Sequence, residues 1–175
     1  MKQKKFIKNN LNKLKKIKLI ITDVDGVLTD GKLFYDNKGN ITKSFNIKDG
    51  QLIKFMQKNN FKFFFITGRK DELVKIRAKE LNINGCYVNI KNKIEIFEKI
   101  KQEQQVKEEN ILYIGDDYID LEVLKKSGIS VAPKDAIKKI KKEVDYITRK
   151  KGGEGVLREI INLLIKANNI ESKLK

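Results

Sequence analysis

Histidine is absent from all 175 residues. Every scheme that needs an imidazole is therefore excluded, whether a nucleophile triad, a His metal centre or a His proton shuttle. Cysteine occurs once, at Cys86, so neither an intramolecular disulfide nor a cysteine zinc site can form. Cys86 follows Gly85 and precedes a strand-like YVNI stretch, and reads as a small buried hydrophobe rather than a nucleophile. A reducing, cytoplasmic compartment fits this cysteine usage. In an enzyme of this composition, proton transfer falls to carboxylates, lysine or tyrosine.

Long apolar runs are also lacking. None approaches the roughly 18 residues of a membrane helix. The basic start, MKQKKFIKNNLNKLKK, has no continuous apolar centre and no small-residue cleavage site, so neither a signal peptide nor a membrane partner is expected. Phe6, Ile7, Leu11 and Leu14 can share one face of a leader helix packed on the protein. With 40% hydrophobic residues the chain can bury a core, and its length fits one domain over 1–175.

Acidic charge is in deficit, and the formal net charge is +16. The lysines are scattered and few aromatics interleave with them. This pattern reads as a chain-wide bias around a small-anion site, and no nucleic-acid partner is expected. Arginine is rare, with only Arg69, Arg77, Arg149 and Arg158. In so lysine-rich a chain, a retained guanidinium marks places where a planar, bidentate fork is needed.

Short apolar runs alternate with segments of helical period. Strands are predicted at 18–23, 62–67, 86–88, 112–115, 129–131 and 146–148. Helices are predicted at about 50–59, 70–81, 93–105, 118–127, 137–142 and 154–167, with Ile94, Phe97 and Ile100 on one face of the third. This alternation predicts an α/β fold, a Rossmann-like parallel sheet with helices on both faces. Strand-like flanks around DNKGN predict a β-hairpin over about 32–46, placed as a flap beyond the first strand. The last residues, 168–175, read as a flexible tail.

The strand ends carry the chemistry. The first ends on Asp23-Val24-Asp25, the second on Thr67-Gly68-Arg69, the third leads to Lys93, and the fourth ends on Gly115-Asp116-Asp117 with Asp120 following. In a doubly wound sheet these ends meet at one crevice. Carboxylates so crowded need protonation or a cation, and an all-oxygen set selects a hard ion, most simply Mg²⁺. Asp23 can then attack phosphorus as a carboxylate nucleophile. Asp25 can protonate the leaving oxygen and later deprotonate water. Lys93 offsets phosphoryl charge, while Thr67 and backbone N–H groups near Asp25 and Gly68 can hold its oxygens. Each element is weak alone; their joint order, each after a predicted strand, is a strong signal.

With these motifs the chain resembles the haloacid dehalogenase-like (HAD) superfamily of phosphohydrolases. DVDGVLTDG is similar to its first motif, TGR to its second, Lys93 to its third and GDDYID to its fourth. The resemblance implies Asp23 as nucleophile and Asp25 as acid/base. It also implies Mg²⁺ on the Asp23 carboxylate, the Asp25 backbone carbonyl and Asp116, with Asp117 and Asp120 tuning the ion from behind. A closer likeness over about residues 11–168 is to the capless subfamily that hydrolyses 3-deoxy-D-manno-octulosonate (KDO) 8-phosphate in lipopolysaccharide synthesis. It rests also on ITGRK, IRAKELNI and VDYITRKKGGEGVLREI.

That subfamily implies a homotetramer whose hairpins associate. Sugar-phosphate contacts would come from Asn46, Ile47, Lys48, Asp49, Gly50, Lys54, Arg69, Arg77 and Lys93. The RKKGGEG segment would be a mobile part near a neighbour's site. All four arginines fall in stretches of resemblance; Arg77 is assigned to substrate and Arg158 to a helix-surface ion pair. Gln51-Leu52 departs from the small residue the family usually carries soon after DG. Nine-carbon acid sugar phosphates remain alternative substrates, because their phosphatases share every motif. A phosphoryl-accepting receiver module is the alternative from another class, disfavoured because its acceptor ends a middle strand.

Overall fold

A computed structural model describes residues 2–173 of the chain. An N-terminal helix, α1 (Lys2–Lys16), leads into β1 (Leu19–Thr22), which is buried at every position. β1 pairs in parallel with β4 (Lys62–Ile66) on one side and β6 (Ile111–Ile114) on the other, Ile21 lying opposite Phe64 and Tyr113. β5 (Gly85–Tyr87) extends one edge, and β7 (Ile129–Ala132) and β8 (Tyr146–Ile147) extend the other. The six parallel strands stand in the order β5-β4-β1-β6-β7-β8. The chain therefore runs outward from β1 to β5, returns, and runs outward again from β6. The order reverses between β1 and β6, where a doubly wound sheet opens a crevice at its carboxyl ends.

Strand alternation divides the core into two layers. Ile20, Phe63, Phe65, Leu112 and Ile114 face α3 (Ile53–Lys58), α4 (Glu72–Glu80) and α8 (Val156–Ala167). Leu19, Ile21, Phe64, Ile66 and Tyr113 face α5 (Lys93–Glu103), α6 (Leu121–Lys126) and α7 (Lys138–Glu143). Both faces are covered, so the strands read as continuous apolar runs. The leader helix packs as its apolar face predicts: Leu14 is buried, and the Phe6 ring lies 4.6 Å from that of Tyr146.

After β1 the chain makes the predicted hairpin. Its ladder is short, β2 (Phe34–Tyr35) against β3 (Ile41–Thr42), antiparallel. Asp36 closes the turn by accepting from the Lys38 and Asn40 amides at 2.9 and 2.8 Å. Gly39 supplies the positive φ of +81° that the turn requires.

Several expected boundaries shift. The helix predicted at 50–59 is two pieces, α2 (Ile47–Gly50) and α3, broken at Gln51-Leu52. The helix predicted from 118 begins as a tight 3-10 turn, Tyr118–Asp120, before α6. Gly155, at φ +98°, delays α8 to Val156. Cys86 is half-buried, because β5 is an edge strand covered incompletely. Of the expected tail, Ile170 is buried in the core layer of α8, its amide bonds the Ile165 carbonyl at 3.2 Å, and Glu171–Lys173 form a 3-10 turn. Residues 174 and 175 lie outside the described residues.

Ile170→Ala should therefore lower the unfolding free energy by about 2 kcal/mol, the ordinary loss for a buried large aliphatic. Urea unfolding followed by circular dichroism checks this; a loss below about 0.5 kcal/mol, as at an exposed position, would return the segment to the status of a tail.

Candidate active site

β1 delivers Asp23 to the crevice. The Asp23 amide still pairs with the sheet, donating to the Ile114 carbonyl at 2.9 Å. Beyond it the chain turns sharply: the amides of Val27, Leu28 and Thr29 all donate to the Val24 carbonyl. Val24, Val27 and Leu28 are buried and anchor this loop in the core. The apolar residues between the two aspartates thus hold the acids in place. Gly26, at φ +83°, lies against Asp116, and a Cβ there would collide with the Asp116 carboxylate.

Lys93 opens α5 and is buried. Its ammonium lies 2.9 Å from Asp23 Oδ1 and 2.8 Å from Asp120 Oδ1. Asp120 is saturated. Its Oδ1 also accepts the Tyr113 hydroxyl at 2.6 Å, and its Oδ2 accepts the amides of Asp116 and Asp117 at 3.0 and 3.3 Å. Asp120 therefore fixes both the lysine and the backbone of the loop that carries Asp116. Carboxylate oxygens of Asp23, Asp116 and Asp120 lie within 4.8 Å of one another.

One ammonium does not neutralise three carboxylates. Burial, then the charge of Asp120, pushes Asp23 well above the carboxylate range despite the opposing pull of Lys93. The same two causes push Asp116 up to about 7. Lys93 is held above its ordinary value: burial lowers it, but the carboxylates of Asp23 and Asp120 outweigh that effect. Asp116 Oδ1 is buried without a hydrogen-bond partner. Hard oxygen donors, electrostatic crowding and an orphaned carboxylate oxygen fit a divalent cation such as Mg²⁺.

Thr67 stands at the carboxyl end of β4, the strand beside β1. Thr67 follows β4, is buried, and accepts the Arg69 amide at 3.3 Å through its hydroxyl. Asp25 is partly buried, one carboxylate oxygen bonded and Oδ2 without a partner. Asp117 is exposed and caps the 3-10 turn through the Tyr118 amide at 2.7 Å, acting on Asp116 through its charge, whereas Asp120 is bonded into the cluster.

The expected substrate contacts divide. Arg77 is largely buried, its guanidinium 6.0 Å over the Phe45 ring and 2.8 Å from Glu80. Asn46 caps α2 through the Lys48 amide and donates to the Gly153 carbonyl at 3.0 Å. Asp49 is buried, accepts the Arg158 amide at 2.8 Å and leaves Oδ2 unpartnered. Gly50 leaves no space, because a Cβ would meet the Leu81 side chain. Ile47, Lys48, Lys54, Gly68 and Arg69 are exposed. Arg158 does not make the expected ion pair; its guanidinium donates to Gln51 at 3.0 Å.

The RKKGGEG segment packs on its own chain. The Gly153 amide donates to the Val27 carbonyl at 3.0 Å, and a Cβ on Gly152 would collide with the Gly26 carbonyl. Sequence reasoning missed Tyr113 and Lys43. Tyr113 sits in an apolar strand and reads as core, while Lys43 carries no local signal among so many lysines.

Residues 89–160 match the family model for haloacid dehalogenase-like hydrolases. The 3-deoxy-D-manno-octulosonate 8-phosphate phosphatase of Escherichia coli K12 is 40% identical over 155 residues, covering 89% of this chain and 82% of its own length. The Salmonella typhi phosphatase of that name is 40% identical over 157 residues, covering 90% and 84%. Among solved structures, the Moraxella catarrhalis phosphatase in complex with magnesium, phosphate and KDO superposes with a TM-score of 0.91 at 32% identity, over 95% of this chain and 96% of that one. The Yersinia pestis phosphatase gives 0.88 at 35%, over 91% and 86%. Sheet order and acid cluster together define a hydrolase of the haloacid dehalogenase-like class. Within that class the chain belongs to the family of 3-deoxy-D-manno-octulosonate 8-phosphate phosphatases.

Buried between α2 and α8, Asp49 should make stability depend on pH. Burial is the main cause that raises its carboxyl to about 6 against an ordinary 3.8. Its preference for the protonated form favours the fold fully below pH 3.8 and is lost as pH rises through about 6. The ionised group then costs about 3 kcal/mol. Asp49→Asn should therefore gain stability relative to the parent protein between pH 4 and 8 in denaturant titrations. A difference independent of pH would contradict the buried acid.

Proposed function

We infer that the chain is a Mg²⁺-dependent phosphomonoesterase that hydrolyses 3-deoxy-D-manno-octulosonate 8-phosphate to KDO and inorganic phosphate, a step of lipopolysaccharide synthesis. The observation that carries this reading is the buried Asp23–Lys93–Asp120 array beside the orphaned Asp116, in a chain 40% identical to phosphatases of that name. Asp23, Asp116 and the Asp25 carbonyl would hold the ion. When bound, it supplies positive charge that allows both acids to ionise and offsets phosphoryl charge.

The side chains then divide the work. An Asp23 oxygen attacks phosphorus, the bond to the sugar oxygen breaks, and Asp25 gives that oxygen its proton. Water then attacks the aspartyl phosphate, releasing its proton to Asp25 and phosphate from Asp23. Lys93 keeps the attacking carboxylate oriented and its charge facing phosphorus. The Thr67 hydroxyl and the backbone near Gly68 hold phosphoryl oxygens. Asn46, Ile47, Lys48, Asp49, Gly50, Lys54, Arg69 and Arg77 would line the path of the acid sugar, the arginines recognising its carboxylate. Specificity among acid sugars rests on this less enclosed part.

The working form in this reading is one domain over 1–175 assembled as a homotetramer in the cytoplasm. Phe34 and Tyr35, 58% and 64% exposed on the hairpin, support association through that element. No described helix is long and apolar enough to cross a membrane.

Phosphate release with Mg²⁺ should be fastest from KDO 8-phosphate when set beside nine-carbon acid sugar 9-phosphates and simple hexose phosphates, and should vanish with chelator. Preference for another acid sugar would overturn the substrate while leaving the chemistry. Asp23→Asn should lower turnover on the order of a thousandfold or more. Retention of a tenth of the activity would remove Asp23 as nucleophile.

A further inference from the structure

Where the hairpin rejoins the sheet, Lys43 follows β3 and directs its side chain inward. That side chain is completely shielded from solvent, as that of Lys93 nearly is. The ammonium lies 2.5 Å from Asp25 Oδ1 and 2.5 Å from Asp71 Oδ2. Burying an ammonium is costly without compensating partners, so the position is specified by both carboxylates. The reading proposed above leaves Lys43 without a role.

Asp71 gives the ammonium a rigid base. It caps α4, accepting the amides of Leu73 and Val74 through Oδ1 at 3.0 and 3.4 Å, so its other oxygen is held in one place. Burial would raise its carboxyl, but the hydrogen bond and charge of Lys43 overcome this and hold it below the usual range. On the other side, Lys43 occupies Asp25 Oδ1, and the Thr29 hydroxyl lies 3.4 Å from the same oxygen. Asp25 Oδ2 is left unpartnered. The result is a chain from helix terminus to ammonium to carboxylate that presents one free Asp25 oxygen. Without the ammonium, Asp25 would retain only the long Thr29 contact among the partners shown.

We propose that Lys43 is a positioning residue: anchored on Asp71, it clamps Asp25 Oδ1 so that Oδ2 faces the leaving oxygen and transfers the proton. This inference rests on the acid/base role of Asp25 proposed above. It also couples the hairpin to the chemistry, because the lysine that sets Asp25 is the residue on which the flap rejoins the body.

A leaving-group comparison tests it. Lys43→Met, Lys43→Arg, Asp71→Asn and Asp25→Asn are assayed with Mg²⁺ on KDO 8-phosphate, an alkyl ester that needs protonation, and on p-nitrophenyl phosphate, whose phenolate leaves unaided. Lys43→Met should lower kcat on KDO 8-phosphate about a hundredfold with KM within about threefold, the size of effect expected when a proton donor is misplaced. The first-turnover burst of nitrophenolate should stay within about threefold of the parent, because that step needs no acid. Lys43→Arg should restore about a tenth or more of the lost kcat.

Equal losses on the two substrates, or a change confined to KM, would overturn the positioning role. If Lys43→Met does not fold, Asp71→Asn decides. It keeps a side-chain oxygen for the helix cap and removes the charge that anchors Lys43, and should show the same split to a smaller degree; no split overturns the proposal. Asp25→Asn separates the two readings. A split there without one at Lys43 defeats this inference alone, whereas no split at Asp25 defeats its acid role.

Discussion

Repulsion among buried carboxylates governs the centre of this molecule. Asp23, Asp116 and Asp120 converge where β1 and β6 end, and Lys93 alone among the described residues is shown bridging two of them. The arrangement holds together because the three acids are not equivalent. Asp120 spends its oxygens on Lys93, Tyr113 and two backbone amides. Asp23 shares one oxygen with Lys93 and the Val24 amide. Asp116 keeps a buried oxygen without any partner. A phosphoryl group adds further negative charge to this place, so a hard cation is a requirement of the electrostatics as much as of the chemistry.

The scaffold keeps such charges close by burying apolar residues on every side. The six parallel strands are covered on both faces, and the loop after β1 is pinned by Val24, Val27 and Leu28 in the same core. Close approach replaces flexibility: Gly26 gives up its Cβ to Asp116, and Gly152 gives up its own to the Gly26 carbonyl. The C-terminal GG segment thereby braces the loop carrying both catalytic aspartates of the proposed mechanism. The hairpin differs. Its strands are two residues each and their side chains are exposed, so its placement depends on what it touches. Lys43 provides one such contact, directly on Asp25.

Much of this was legible in one dimension. Six apolar runs became six strands, and Asp23, Thr67 and Asp116 follow the carboxyl ends of β1, β4 and β6, while Lys93 opens the helix after β5. At a few positions turn geometry or packing sets a side chain apart from what its local pattern suggests. Ile170 sits within a polar stretch, yet it is buried in the core layer that includes α8. Asp117 adjoins Asp116, yet a 3-10 turn points it outward. Arg158 meets Gln51, more than a hundred positions away, where a helix-surface ion pair was expected.

Sequence alone determined the class of chemistry. The absence of histidine and paired cysteine leaves carboxylates, lysine and tyrosine, and the period of the apolar runs locates a set of carboxylates at strand ends. Those are local properties, set by backbone repeat and side-chain type. Tertiary structure decided which identical side chains differ in function. Lys93 and Lys43 belong to a crowd of lysines, and only burial against Asp23 and Asp120, or against Asp25 and Asp71, separates them from the solvated rest. Burial and charge pairing arise from contacts across the fold, so the same residue type becomes a surface cation or a buried clamp according to the neighbours that folding brings to it.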